Sequence, residues 1–192
     1  ALDVFEKEPP EGSPLLATLT GSDPEDDALV YSLVDGPAGA TVDATTGVFS
    51  WTPADSASNV AVTVRVSEQG NPANRADRSF SIDVANVAHT LGVAAPASVA
   101  RGEDFTLTLS ATDPGDDTVT QWLIAWGNGE TTTVAGDVGS VDYQYAAAGS
   151  YQIQVRATDE DGSYDATPRS IQVTAPNAVP VTAAVDPGAV DE

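Results

Sequence analysis

An internal repeat limits the possible folds of this chain more than any other feature of its sequence. The segment at residues 19–29 (LTGSDPEDDAL) returns at residues 109–119 as LSATDPGDDTV. A second landmark, SIDV at residues 81–84, returns as SIQV at residues 170–173. Both spacings are about 90 residues, which is close to the length of one β-sandwich domain. The 192 residues are therefore predicted to contain two tandem modules of similar architecture.

Hydrophobic periodicity predicts strands in both modules. Every second residue from Val60 to Val66 is a valine, and Phe105, Leu107 and Leu109 alternate with polar residues in the same way. A period of two is typical of half-buried strands, whereas an amphipathic helix needs a period near 3.6. Turn formers such as Asp161-Gly162 separate these runs. The predicted fold class is all-β, and the length of the repeat favours tandem Greek-key β-sandwiches.

Composition excludes several classes of function. Twenty-nine acidic residues against seven basic ones give a net charge of −22, which repels nucleic acids and anionic membranes. No apolar run approaches the roughly 18 residues of a membrane span. The chain has no cysteine, which excludes disulfides and thiolate sites, and its one histidine is not accompanied by a nucleophile-elbow motif. We therefore expect neither nucleic-acid binding, nor membrane insertion, nor enzymatic activity.

The first module carries a family motif. Residues 43–53 (DATTGVFSWTP) follow the pattern D-x-x-T-G-x-x-x-W-T-P. This segment resembles the cadherin-like, dystroglycan-type immunoglobulin (Ig) modules of bacterial surface proteins. The resemblance implies an Ig-like β-sandwich, and we assign it to residues 1–87.

The second module carries a different set of motifs. Residues 126–129 read WGNG, Tyr143-Gln-Tyr145 precedes Gly149-Ser-Tyr151, and residues 157–162 read ATDEDG. Together they resemble a PKD domain, although Asn128 stands where that family has Asp. We assign this Ig-like sandwich to residues 88–176. Residues 177–192 are interpreted as a linker and the start of a third repeat, so the sequence is expected to be part of a longer chain.

Clustered acids in the predicted loops suggest calcium. Calcium takes six to eight hard oxygen ligands, which several carboxylates can supply where loops converge. The Asp113–Asp117 loop and the Asp159–Gly162 turn are expected to meet at one end of the second sandwich. In calcium-binding PKD modules, ligands come from these same loops and from a linker Asn. The candidate ligands are Asp113, Asp116, Asp117, Asp159, Asp161 and Asn86 in this region, and Asp23, Asp26 and Asp27 in the first module. Glu11 could assist, and without a cation residues 87–92 are expected to act as a hinge.

These observations predict a non-catalytic, calcium-stiffened spacer in a large bacterial adhesin or other extracellular surface protein. Its expected partners are neighbouring repeats, with cell-surface polysaccharide or protein as further candidates. Two alternatives remain: a carbohydrate- or protein-binding module, and an accessory domain of a secreted hydrolase. Exposed aromatic residues would favour binding, whereas the strand pattern predicts that Trp51, Trp122 and Trp126 lie in the cores. Plain acidic turns that keep a β-protein soluble would also explain the carboxylates.

Overall fold

The computed structural model describes residues 8–175, and the first module consists of two three-stranded sheets. One sheet has the order β1-β4-β3 and the other β2-β5-β6, with antiparallel pairing throughout. The strands are β1 (Leu15–Thr18), β2 (Leu29–Asp35), β3 (Thr41–Val42), β4 (Val48–Trp51), β5 (Ala57–Glu68) and β6 (Asn71–Val84). The valines at even positions of β5 face the opposite sheet, as the period of two predicts.

The second module is also built from two sheets. The larger has the order β11-β10-β13-β15-β8, with β14 paired to β13, and the smaller has the order β12-β9-β7. Its strands are β7 (Thr90–Ala94), β8 (Ser98–Ala100), β9 (Asp104–Thr112), β10 (Gln121–Ala125), β11 (Thr131–Ala135), β12 (Ser140–Gln144), β13 (Gly149–Thr158), β14 (Ser163–Asp165) and β15 (Arg169–Thr174). The predicted all-β fold of tandem Ig-like sandwiches is confirmed. Within residues 8–175, no helix has the length and apolar character needed to cross a membrane.

Each module has its own hydrophobic core. Trp51 and Phe49 lie in the first core, and Trp122 and Trp126 lie in the second. All three tryptophans are buried, which agrees with the core interpretation of the sequence. Because β7 begins at Thr90, the segment between the modules comprises residues 85–89, and residues 90–92 of the hinge expected from the sequence belong to β7 instead. The predicted linker and third repeat at residues 177–192 lie outside the described residues.

An aromatic stack fills one end of the second core. Tyr143 stacks on Trp126 with ring centroids 3.9 Å apart, and Tyr151 stacks on Tyr145 at 4.2 Å. The buried Tyr145 hydroxyl donates a hydrogen bond to the Trp126 carbonyl at 2.7 Å. The Tyr151 hydroxyl donates to the Ala147 carbonyl, four residues upstream, which is the geometry of a tyrosine corner. The aromatic rings thus fix the β12–β13 connection against β10.

Replacing Tyr145 by Phe should lower the free energy of unfolding by about 1–2 kcal/mol, because the buried Trp126 carbonyl loses its side-chain donor. Tyr151→Phe is the matched control. Its hydroxyl bond lies at the surface, so the expected loss is below about 0.5 kcal/mol. Chemical denaturation of both variants measures the difference. Equal losses of unfolding free energy in the two variants would show that the buried Tyr145 hydroxyl stabilises the fold no more than the exposed Tyr151 hydroxyl does.

Candidate metal centre at the module junction

The site begins with the segment that precedes β1. The Ala85 amide donates to the Pro9 carbonyl at 2.9 Å, and the Glu11 amide donates to the Ala85 carbonyl at 3.1 Å. These bonds bind the start of the first module to the segment that leaves it. Glu11 is fully buried there, and its Oε1 accepts the Val87 amide at 2.5 Å. A glutamate from the first module is therefore fixed beside the segment that enters the second.

Backbone contacts dock the two modules against each other. The Gly12 amide donates to Pro53 O at 2.8 Å within the first module, and the Asp116 amide of the second donates to Ala54 O at 2.6 Å. The approach is too close for a side chain at Gly115. A Cβ atom there would lie 2.7 Å from Ala54 O and 3.0 Å from Glu11 Cγ. Glycine at position 115 permits this contact.

Four carboxylates from both modules meet at this junction. Glu11 and Asp55 belong to the first module, and Asp117 and Asp161 belong to the second. One oxygen from each of the four lies within 4.8 Å of the others. The residues come from the segment before β1, the β4–β5 loop, the β9–β10 loop and the β13–β14 turn. Only docking of the modules brings this set together.

Several oxygens of this group are buried without a partner. Glu11 Oε2 and both Asp117 carboxylate oxygens are buried and accept no hydrogen bond from the described residues. Asp161 is better satisfied, because its Oδ2 accepts Asn86 Nδ2 at 2.8 Å and Ser56 Oγ at 2.9 Å. Buried unpartnered anions are strongly unfavourable in a native protein. The arrangement fits a set of ligands for a cation.

Electrostatics distinguish the two carboxylates of the second module. Burial, followed by the charge of Glu11, raises the pKa of Asp117 from 3.8 to about 7. Hydrogen bonds from Asn86 and then Ser56 lower the pKa of Asp161. Without a cation, the crowded acids therefore favour a proton on Asp117, whereas Asp161 remains ionised.

A second pair of buried acids lies beside this group. Asp113 Oδ1 accepts the Gly115 amide at 2.7 Å, and Asp159 Oδ1 accepts the amides of Asp161 and Gly162 at 2.9 and 2.7 Å. Their Oδ2 atoms face the imidazole of His89 from opposite sides. These two predicted ligands therefore lie against His89 and are not members of the four-carboxylate group.

The first module contains a more exposed group of acids. One oxygen each from Asp23, Asp27 and Glu68 lies within 4.8 Å of the others. Asp23 Oδ1 already accepts the backbone amides of Glu25 and Asp27 at 2.9 and 3.2 Å. Asp26 is exposed and lies outside this group. The carboxylates here are close to solvent, so they require a cation less than those at the junction.

The sequence-predicted residues therefore separate into three sets. Asp117 and Asp161 join the junction group, Asp113 and Asp159 flank His89, and Asp116 is exposed outside both. Asn86 donates to Asp161 and accepts from the Tyr164 hydroxyl, which orients the carboxylate. Sequence reasoning missed Asp55. The one feature of the sequence that could have indicated Asp55 is its position just after the W-T-P motif, in the loop between β4 and β5.

Each of the two modules matches the model of a known protein family. Residues 6–85 match the model of the family described as Putative Ig domain, and residues 86–175 match a PKD domain model. This chain is an Ig-like module followed by a PKD module. The junction carboxylates therefore lie between two modules of different families, and each module supplies two of them.

Among curated proteins, the chain is similar to the pre-pro-metalloprotease PrtV of Vibrio cholerae serotype O1. The two are 35% identical over 69 residues, which is 36% of this chain and 7% of the relative. The chain thus matches only a small part of that protein's length.

Two solved structures are among the similar ones. The PKD1 domain of Vibrio anguillarum Epp is 22% identical, with a TM-score of 0.39, and the match covers 48% of this chain and all of that domain. The fibronectin(III)-like modules of Clostridium thermocellum CbhA are 18% identical, with a TM-score of 0.41, and the match covers 96% of this chain and 99% of that one.

Replacing Gly115 by Ala should separate the two modules, because the new methyl group would collide with Ala54 O. The Asp116 amide should then lose its bond to Ala54 and exchange its hydrogen at least about fivefold faster, the equivalent of about 1 kcal/mol. Amide exchange measured by NMR tests this. Gly139→Ala is the matched control, since its Cβ would meet its nearest atom only at 4.0 Å. Equal exchange rates in the two variants would contradict the close-contact argument.

In metal-free buffer, stability should fall as the pH rises from about 4 to about 7. Asp117 has a higher pKa in the folded chain than its ordinary value, so the folded state binds more protons in this range. The stabilisation from this proton is complete at low pH and is lost as the pH passes about 7. Thermal midpoints of the wild type and Asp117→Asn, measured from pH 5 to 8 after chelation, test this. If the thermal midpoints of the two proteins changed in parallel with pH, the proposed contribution of Asp117 would be contradicted.

Proposed function

We propose that the two modules form a non-catalytic spacer whose junction is stiffened by calcium. The buried, unpartnered oxygens of Glu11 and Asp117, within a four-carboxylate group shared by both modules, are the observation that carries this proposal. A bound cation would compensate their charge. Both matched families are Ig-like and PKD accessory domains, which supports a structural role.

The ligand chemistry favours calcium over other metals. The four residues offer carboxylate oxygens alone, with no nitrogen or sulfur donor, which suits a hard cation. Calcium tolerates irregular sets of six to eight oxygens, whereas magnesium demands near-octahedral geometry and keeps much of its water. Glu11, Asp55, Asp117 and Asp161 would hold the ion. Four carboxylates that approach from four separate segments suit the more flexible coordination of calcium.

Binding at this place would couple the ion to the angle between the modules. The complete set of ligands exists only when the Ig-like and PKD modules are docked, so an ion that binds this set stabilises the docked arrangement. Without the ion, the carboxylates repel each other across the junction, and residues 85–89 are free to act as a hinge. Calcium would thereby convert a jointed pair into a rigid segment.

The setting we propose is extracellular, in a larger surface or secreted protein, with neighbouring repeats as the immediate partners. Similarity to part of a pre-pro-metalloprotease supports an accessory segment of this kind as well as an adhesin stalk. A binding module is less favoured. The large hydrophobic side chains exposed in the described part of the chain are Leu16, Val34 and Leu123, all aliphatic, which supports the spacer more than an aromatic platform for sugar stacking.

The Ig-like module offers a weaker candidate for a second ion. Asp23, Asp27 and Glu68 approach one another closely, but they remain partly or fully exposed. An ion there would bind a single module and would not affect the junction. We therefore expect weaker binding at this group than at the junction.

Calcium at millimolar concentration should raise the thermal midpoint of the wild type over that in chelator, because the ion binds the folded, docked state. When the free calcium concentration is 100 times the dissociation constant, this stabilisation amounts to about 2.7 kcal/mol. Asp117→Asn and Asp161→Asn should each remove most of the increase. Differential scanning calorimetry with calcium, magnesium or chelator measures it.

The same loops provide matched controls for these variants. Asp116→Asn and Glu160→Gln each remove one exposed acid beside a proposed ligand, and both should keep the full calcium response. A wild type without a calcium-selective response would overturn the proposed function. An equal loss in the controls would show that only the net charge of the loops matters.

A further inference from the structure

We propose that the outer edge of β6 is a contact surface for a second copy of this chain. β6 is the last strand of the β2-β5-β6 sheet, so within residues 8–175 no strand pairs with its other side. The segment before β1 reaches only the end of this edge, through a bridge between Pro10 and Ala85. Residues 71–79 are all exposed. The N–H and C=O groups along such an edge can pair with another strand.

The charges on this edge differ from those of the rest of the chain. Seven basic residues oppose 29 acidic ones in the sequence, yet Arg65, Arg75 and Arg78 all lie on the β5–β6 hairpin. Arg65 forms a bidentate ion pair with Asp77, at 2.7 and 2.8 Å. Arg75 and Arg78 form no ion pair with another described residue. Two strongly acidic chains therefore repel each other less at this hairpin than at their acidic loops.

Arg75 and Asp77 lie on the same face of β6. In the pairing of the hairpin, Asp77 stands opposite Arg65, and Arg75 stands opposite Ser67. Val66, which lies between Arg65 and Ser67 in β5, is buried. Because side chains alternate along a strand, Arg75 and Asp77 share the outer face of the sheet. The edge therefore presents a positive and a negative charge two residues apart.

Antiparallel pairing of two β6 edges about Ala76 would make these charges complementary. Arg75 of each copy would stand opposite Asp77 of the other, which gives two ion pairs related by a two-fold axis. A carboxylate can accept about four hydrogen bonds. Asp77 can therefore bind Arg65 of its own chain and Arg75 of the second copy at once.

The same charges disfavour the neighbouring registers. A centre at Arg75 would place the two Arg75 side chains opposite each other, and a centre at Asp77 would do the same with the two Asp77 carboxylates. Like charges directly opposite each other destabilise a pair of strands. Edge charges also commonly prevent pairing, and charges of one sign suffice for that. Opposite charges two residues apart fit a partner with the same sequence.

This pairing would join the two β2-β5-β6 sheets into one six-stranded sheet, with the two copies running in opposite directions. A contact between two short stretches of strand buries little surface, so the dimer should be weak. Weak contacts of this kind act together where many copies are presented side by side. The contact therefore suits a protein that is present at high local concentration.

Sedimentation equilibrium of the whole chain, from micromolar to millimolar concentration and in chelator, tests the dimer independently of the proposed calcium site. The wild type should form dimers as its concentration rises. Arg75→Asp and Asp77→Arg should each dimerise at least about fivefold more weakly, because both ion pairs become pairs of like charge. An equimolar mixture of these two variants should dimerise again, since the acidic edge of one faces the basic edge of the other.

Arg78→Asp is the matched control for net charge. It changes the charge of β6 as much as Arg75→Asp does, but in the proposed register position 78 faces the uncharged Asn74 of the second copy. Arg78→Asp should therefore dimerise like the wild type. A wild type that stays monomeric at every concentration would overturn the proposal. Equal weakening in Arg75→Asp and Arg78→Asp would overturn it too.

A second experiment tests the register by cross-linking. The chain has no cysteine, so Ala76→Cys introduces a single thiol. At the centre of the pairing the two Cα atoms would lie about 4.5–5.5 Å apart, which a disulfide can span. Ala73→Cys is the matched control, because its two thiols would lie about 20 Å apart along the strands.

Under mild oxidation, Ala76→Cys should form the covalent dimer at least about tenfold faster than Ala73→Cys, since only its thiols are within reach of each other. Both substitutions are at exposed positions of the edge. Equal rates of cross-linking would show that the chains do not pair antiparallel about Ala76, and would overturn the proposal. This result decides the matter even if one of the charge variants fails to fold.

Discussion

Buried carboxylates at the contact between the modules determine how this molecule can behave. Glu11 and Asp117 bring anionic oxygens into a place that water scarcely reaches, and Asp55 and Asp161 lie within 4.8 Å of them. Like charges at this distance repel each other strongly when solvent is excluded. The docked arrangement therefore needs compensation, which protons or a cation can supply. The raised pKa of Asp117 and the proposed calcium ion are two responses to the same constraint.

The two sandwiches provide the rigid frame for this charged contact. Each has its own core, so neither depends on the junction for its hydrophobic burial. At the junction, the Asp116 amide of the second module donates to the Ala54 carbonyl of the first, and four carboxylates from both modules approach one another. An ion that binds both sides would therefore act on the geometry of the pair, while each hydrophobic core stays within its own module.

Much of the fold was predictable from local sequence. The period of two in β5 and β9 gave the strands, and the repeat of about 90 residues gave the number of modules. The buried tryptophans followed from their places in those strands. The acidic loops also pointed to Asp117 and Asp161, which the structure places in one group of carboxylates, although their role as ligands stays a prediction. The predicted hinge overlapped β7 at residues 90–92, since the start of β7 at Thr90 depends on pairing with β9 and not on local propensity.

The sequence by itself determined the all-β class, the two modules and the presence of acidic loops, because periodicity, repeat length and composition are local properties. Only the tertiary structure decided which acids meet. Glu11 and Asp117 are separated by more than a whole module along the chain, and Asp55 has no neighbour in sequence that marks it as a ligand. His89 is likewise unremarkable until folding places a carboxylate against each of its nitrogens. Contacts between distant segments arise from the docking of two folded bodies, and no local pattern encodes that docking.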